Sequence, residues 1–126
     1  MASKSRSNTK LPHPTYLGYL HTLPLKDKRR SKFRNQIKTR GFDDSELWNL
    51  DITIAKFIYP RLKAFKEAEA GIPGGFTKRS WERTLNQMIA AFKIVSEGDS
   101  NYTATQQTKV QKGLEVFTKH YSRLWT

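Results

Sequence analysis

The stretch DDSELWNLDITIAKFIYPRLKAFK, Asp43 to Lys66, decides the fold. Asp43 followed by Glu46 has the spacing of a capping box, with Asp in place of Ser or Thr, and acids there suit the positive end of a helix dipole. Leu47, Leu50, Ile54, Phe57 or Ile58, Leu62 and Phe65 recur at helical spacing, and Trp48, Ile52, Ala55 and Tyr59 form a second stripe. Two stripes predict a central helix, 44–69, buried on two sides. Pro60 removes one donor and clashes with the carbonyl of Lys56, so a kink is expected there, or a break with a new helix starting at Pro60. Asp51 falls on this helix, and a buried carboxylate must be paired. Arg61, Arg79 and Arg83 are its candidate partners in a structural ion pair, with a contact to a ligand or partner as the alternative.

Downstream, GIPGGF is a loop, and Trp81, Leu85, Met88, Phe92 and Val95 predict a helix over 78–97. Thr103 with Gln106 is a second capping box, opening a helix over 104–125 on Val110, Leu114, Phe117, Tyr121 and Leu124. Gly113 within it reads equally as a close helix crossing or as a tolerated glycine. Upstream, residues 1–14 are polar, basic and proline-bounded, as in a flexible arm. Tyr16, Leu17, Tyr19, Leu20 and Leu23 are a short apolar patch expected to pack as a turn of helix or an extended clip. A thinly apolar helix over 25–40 follows, anchored by Phe33 and Ile37 and stopped at Gly41. The expected fold is all-α: a small bundle of three to five helices with a kinked central helix and a basic arm, residues 15–126 forming a single domain.

The charge is unevenly placed along the chain. Residues 1–42 hold eleven Lys/Arg and one acid, and residues 43–126 hold twelve and ten, so +10 of the net +12 precedes Asp43. Such a balance favours an anionic partner. Lys28, Arg29, Arg30, Lys32, Arg34, Lys38 and Arg40 are the candidate phosphate ligands, and Tyr16, Tyr19 and Phe33 the candidate stacking residues. The plain alternative is a solvated cationic face. Six such contacts to duplex phosphates would give a slope of log K on log salt of about −5.

Several chemistries find no support. There is no cysteine for a disulfide, thiol catalysis or a cysteine-ligated zinc. His13, His21 and His120 lack metal spacing and acidic partners, and no phosphate loop, nucleophile elbow or HExxH occurs. No apolar run approaches a bilayer span, and MASKSRSNTK lacks the apolar centre of a secretory signal. The expectation is a non-enzymatic cytoplasmic protein without cofactor or metal, not bound to a membrane, and open to homo-oligomer formation.

Residues Arg40 to Lys93 carry a resemblance. The chain reads RGFDDSELWNLD, then an apolar helix with PRLKAFKE, then GIP, then SWERTLNQMIAAFK. This order resembles a set of small helical proteins encoded in bacteriophage genomes, matched here at Trp48, Leu50, Asp51, Pro60, Leu62, Phe65, Trp81, Leu85, Met88 and Phe92. The resemblance implies ancestry and a helical fold, brings no catalytic residues, and would place the protein in a host cytoplasm. Small phage proteins without enzyme motifs commonly act by binding, which is analogy only. Three functions follow as expectations. The first is capture of an anionic ligand, either nucleic acid or a nucleotide messenger of host defence, by the basic N-terminal region. The second is a protein–protein inhibitor or adaptor of a host nucleic-acid machine. The third is a virion or packaging component.

Overall fold

The computed structural model describes residues 10–68, 71–99 and 101–125. Among these the protein is all-α, with four α-helices and no strand: α1 (Arg29–Arg40), α2 (Leu50–Glu67), α3 (Lys78–Ser96) and α4 (Ala104–His120), with 3-10 turns at Leu20–Thr22, Asp44–Leu47 and Tyr121–Arg123. Where the sequence suggests one domain over 15–126, the chain sorts into two compact units, Met1–Thr53 and Ile54–Thr126.

In the first unit the apolar patch behaves as a clip. Tyr16, Leu20 and Leu23 are buried with Phe33 of α1, and Ile37 packs against them. The helix begins at Arg29, four residues later than the pattern predicts. Asp27 is the reason: its carboxylate accepts the Arg29 backbone N–H at 2.9 Å, so the chain from Pro24 to Lys28 is spent on turns. At the far end Gly41 takes φ 89° and returns its N–H to Ile37 O, the left-handed stop expected of that glycine. The arm assigned to residues 1–14 lies outside the described residues up to residue 9. From Lys10 onward the chain is described, and its His13 ring packs edge-on to Tyr16 at 5.6 Å.

The central helix differs from expectation in three ways. The Asp43–Glu46 capping box is present, but it caps the 3-10 turn Asp44–Leu47. The break falls at Trp48 and Asn49, where Asn49 takes φ 50°, a conformation asparagine tolerates better than most residues. Asn49 O then accepts from Ile52 N and Thr53 N to start α2. Pro60 lies inside α2, which runs through it without a break. Finally, α2 is not buried on two sides. Leu50, Ile54 and Phe57 are each nearly half exposed, while Ala55 and Leu62 are buried. Periodicity marks a face that would gain by burial, and burial further requires a neighbouring surface to meet it.

In the second unit α3 and α4 are that neighbour for each other. Trp81 faces His120 and Gln87 faces Gly113, so the helices run antiparallel. Both open on capping boxes, at Thr77–Ser80 and Thr103–Gln106. Trp81, Leu85, Met88, Ala91, Phe92 and Val95 are buried from α3, and Val110, Gly113 and Val116 from α4. Gly113 is a close crossing: a Cβ there would run into the Ala91 side chain and the Gln87 backbone carbonyl. The capping box at Thr103 and the apolar spacing of α3 were visible in the sequence, whereas the box at Thr77 was not read; α3 matches the expected 78–97, while α4, expected to run to 125, ends at His120, where the chain tightens into the 3-10 turn Tyr121–Arg123.

Candidate anion-binding surface of the N-terminal unit

Folding sorts the seven basic residues assigned to phosphate binding. On α1, Arg30, Phe33 and Ile37 face inward. Arg30 is buried and donates from Nη1 to the carbonyls of Leu20 and Leu23, each at 3.0 Å. It closes the clip, and it does not present a free phosphate ligand on the outer face. Burial, reinforced by Arg34 nearby, disfavours its charge and pulls its pKa below the usual arginine value. Arg29, Lys32, Gln36 and Arg40 form one exposed flank. The turn Asp43–Trp48 lies along it: Asp44 pairs with Arg40 at 2.7 Å and Lys32 at 3.4 Å, and the Asp44 N–H donates to Gln36 Oε1 at 2.8 Å. Gln36, Arg40 and Lys32 together hold the Asp44 carboxyl below its usual range. Arg29 chelates Asp27 at 2.7 and 3.0 Å, which holds that carboxyl down at about 2. Lys28, Arg34 and Lys38 are exposed and are in no ion pair among the described residues.

The charge asymmetry along the chain therefore largely disappears in space. The first unit carries eleven Lys/Arg and five acids and the second twelve and six, so each has a net charge of +6. A boundary drawn at Asp43 separates the acids of the capping turn from the basic helix they neutralise.

The stacking candidates are sorted in the same way. Tyr16 and Phe33 are buried and serve as core, so neither is a stacking surface. Tyr16 is the hub of a buried polar network that sequence reading missed. Its hydroxyl donates to Asp43 Oδ2 at 2.5 Å, lies 3.1 Å from Ser45 Oγ, and accepts from Leu20 N at 2.9 Å. Ser45 donates its N–H and Oγ to Asp43 Oδ1 at 2.8 and 2.6 Å, and accepts Tyr19 N at 2.7 Å. Asp43 and Ser45 are fully buried. Burial, then the hydrogen bond to Asp43, raises the Tyr16 hydroxyl far above its usual value. Gly18 fits over this network because a Cβ would strike the Tyr16 hydroxyl and lie 2.6 Å from Ser45 Oγ. Asp43 was read correctly as a cap, and the capping box gave no sign of the long-range partners Tyr16 and Tyr19.

Tyr19 does stack, on Trp48. Their rings lie 5.9 Å apart and 15° from parallel. The Arg29 guanidinium sits 5.7 Å over the Trp48 ring, and Phe33 supports that ring edge-on from the core at 5.9 Å. Trp48 is 38% exposed. The sequence assigned Trp48 to a helix stripe, so its place beside Arg29 was not foreseen.

Among the described residues, the structural ion pair expected of Asp51 is not found with Arg61 of the same helix. Asp51 is exposed in the first turn of α2, and Arg61, Arg79 and Arg83 are exposed as well. Arg61 lies ten residues along the same helix, about 15 Å away at the helical rise. It instead donates to Phe57 O at 2.9 Å and covers the Phe57 ring at 3.9 Å. Of the histidines, His120 lies edge-on to Phe76 at 5.2 Å in the second unit, and burial followed by Arg123 and Lys119 lowers its pKa. Among the described residues no group of His, Asp and Glu is arranged to hold a metal ion, and no helix is long and apolar enough to cross a membrane.

No protein-family model, curated protein or solved structure matches the chain.

Proposed function

We propose that this is a non-catalytic binding protein whose N-terminal unit takes single-stranded nucleic acid. The observation that carries the reading is the partly exposed Trp48 ring, stacked on the half-buried Tyr19 with Arg29 over it, on the flank that also holds Lys32 and Arg40. Proteins that track single strands combine cationic surfaces with aromatic faces on which bases stack. A nucleobase laid on Trp48 gains stacking, while Arg29, already drawn over the ring, reaches the adjoining phosphate. Asp27 and Asp44 keep Arg29 and Arg40 in place, at the expense of part of their charge. The bacteriophage resemblance fits such a role in a host cytoplasm, where a bound strand or nucleotide belongs to replication or to host defence.

Anisotropy with fluorescent single-stranded oligonucleotides tests this. Contacts from Lys28, Arg29, Lys32 and Arg40 give an expected slope of log K on log salt of about −3 for single strands. Trp48→Leu keeps an apolar cover on Phe33 and is expected to weaken binding about tenfold, the loss of one stacked base. Salt-insensitive or absent binding would sink the proposal.

A second reading, a protein–protein adaptor, is favoured by the exposed Ile54 and Phe57 at i and i+3 of α2 in the second unit. A stoichiometric complex that survives nuclease treatment would support it over the first.

A further inference from the structure

The second unit carries a separate feature, a cavity of about 340 Å³. Its walls come from three places. Phe65 and Lys66 stand in the last turn of α2, Gly71 and Ile72 belong to the loop that follows, and Lys78, Trp81, Glu82 and Leu85 fall at i, i+3, i+4 and i+7 on one face of α3. Trp81 and Leu85 are buried, with the Trp81 ring held edge-on by Phe76 at 4.9 Å. Ile72, on the loop side, is half exposed. An apolar and aromatic interior with a few charged groups at its edge is the usual make-up of a small-molecule site, and the volume falls at the small end of the range of roughly 300–1,000 Å³ for such sites.

The charged groups supply the second observation. Lys66 and Glu82 are both half-buried and line the same cavity, yet they form no ion pair with each other or with any other described residue. The two charges therefore stand apart, with the cavity open to both. Lys78 lines the cavity too, but it has an interaction of its own and is given no part. Filling the cavity strips water from both charges, and a desolvated charge must be paired. An apolar carboxylic acid would answer Lys66 and leave Glu82 unpaired, and an apolar amine would do the reverse. A ligand with both charges at one end answers both, and its apolar part covers Phe65, Trp81 and Leu85.

We propose that this cavity is a site for a zwitterionic α-amino acid with an aromatic or large aliphatic side chain. Lys66 Nζ donates to its carboxylate, the Glu82 carboxylate accepts from its ammonium group, and Phe65 and Trp81 flank its side chain. The site goes beyond the nucleic-acid reading and is independent of it, since every lining residue belongs to the second unit.

The test uses the full chain with isotope-labelled tryptophans and three probes: phenylalanine, hydrocinnamate, which lacks the amine, and phenethylamine, which lacks the carboxylate. Phenylalanine is expected to shift the Trp81 indole resonance along a saturable curve and to leave that of Trp48 in place. Hydrocinnamate and phenethylamine are each expected to bind about fivefold more weakly, the loss of one partly screened charged contact. Lys66→Gln is expected to weaken phenylalanine by a similar factor without weakening phenethylamine, and Glu82→Gln to do so without weakening hydrocinnamate. Both positions are only partly buried on helices, and glutamine is a good helix former, so neither change should disturb folding. Either single-charge probe binding as tightly as phenylalanine would overturn the zwitterion assignment. A linear response to all three probes would overturn the site altogether. So would a Trp81 shift that follows protein dilution alone, which would give the cavity to a second copy of the chain.

Discussion

The two units are held together by different physics. The second is built as a helix hairpin: two capping boxes, a regular apolar face on each helix, and a glycine that lets them touch. The first has a thin core of four side chains, and much of its order comes from a fully buried carboxylate that ties the lead-in segment to the turn before α2. Apolar burial is non-directional and tolerates small errors, whereas a buried polar network holds only when every member is satisfied. The first unit should therefore be the more brittle of the two.

Removing the carboxylate is the severest way to break this contrast. Asp43→Ala strands the Tyr16 hydroxyl and the donors of Ser45 in the interior, and is expected to cost about 3–5 kcal/mol. Hydrogen exchange should show protection lost between Tyr16 and Leu47 and retained in α3 and α4. Equal loss in both would mean that the two units unfold as one. Gly113→Ala attacks the other unit. Alanine gains about 1 kcal/mol of helix propensity. Its Cβ, however, meets a backbone carbonyl that cannot swing aside, and overpacking of this kind costs about 1–3 kcal/mol. The net change should be a lower melting temperature, with exchange rising in α3 and α4 only. A stabilised variant would show that the hairpin is looser than its crossing suggests.

The smallest effect, and the one that separates the units most cleanly, is their response to pH. Tyr16 is held neutral in the folded state, while an unfolded tyrosine ionises near 10.0. Its contribution is complete below that value and is lost as pH rises through the folded-state value, so the first unit should loosen first in alkali. His120 has the opposite sign. Its folded value is lowered from 6.5, so its contribution is complete above 6.5 and is lost as pH falls through the folded-state value. Tyrosine absorbance and histidine NMR titrations follow the two edges separately. Tyr16→Phe should abolish the alkaline edge and leave the acid one.

Local signals were legible wherever the deciding interaction is local. The left-handed stop at Gly41, the cap at Thr103 and the apolar face of α3 need only neighbours within one or two turns. The candidate site was half legible. Residue type picked out Lys28, Arg29, Lys32, Arg34, Lys38 and Arg40, which are surface residues in the fold, and the half-buried Tyr19, along with Arg30, Tyr16 and Phe33, which became part of its interior. Residue type also missed Trp48 as a platform, because that role depends on segments distant in sequence.

By itself the sequence determined an all-helical chain, the stop of α1 at Gly41, the span of α3, and an excess of positive charge. Only the tertiary structure decided which charges remain available. Hydrogen bonds and ion pairs act over a few ångströms, and folding brings Asp27, Asp43 and Asp44 within that range of the residues they hold. A linear count of charge therefore overstated the contrast that the folded chain presents.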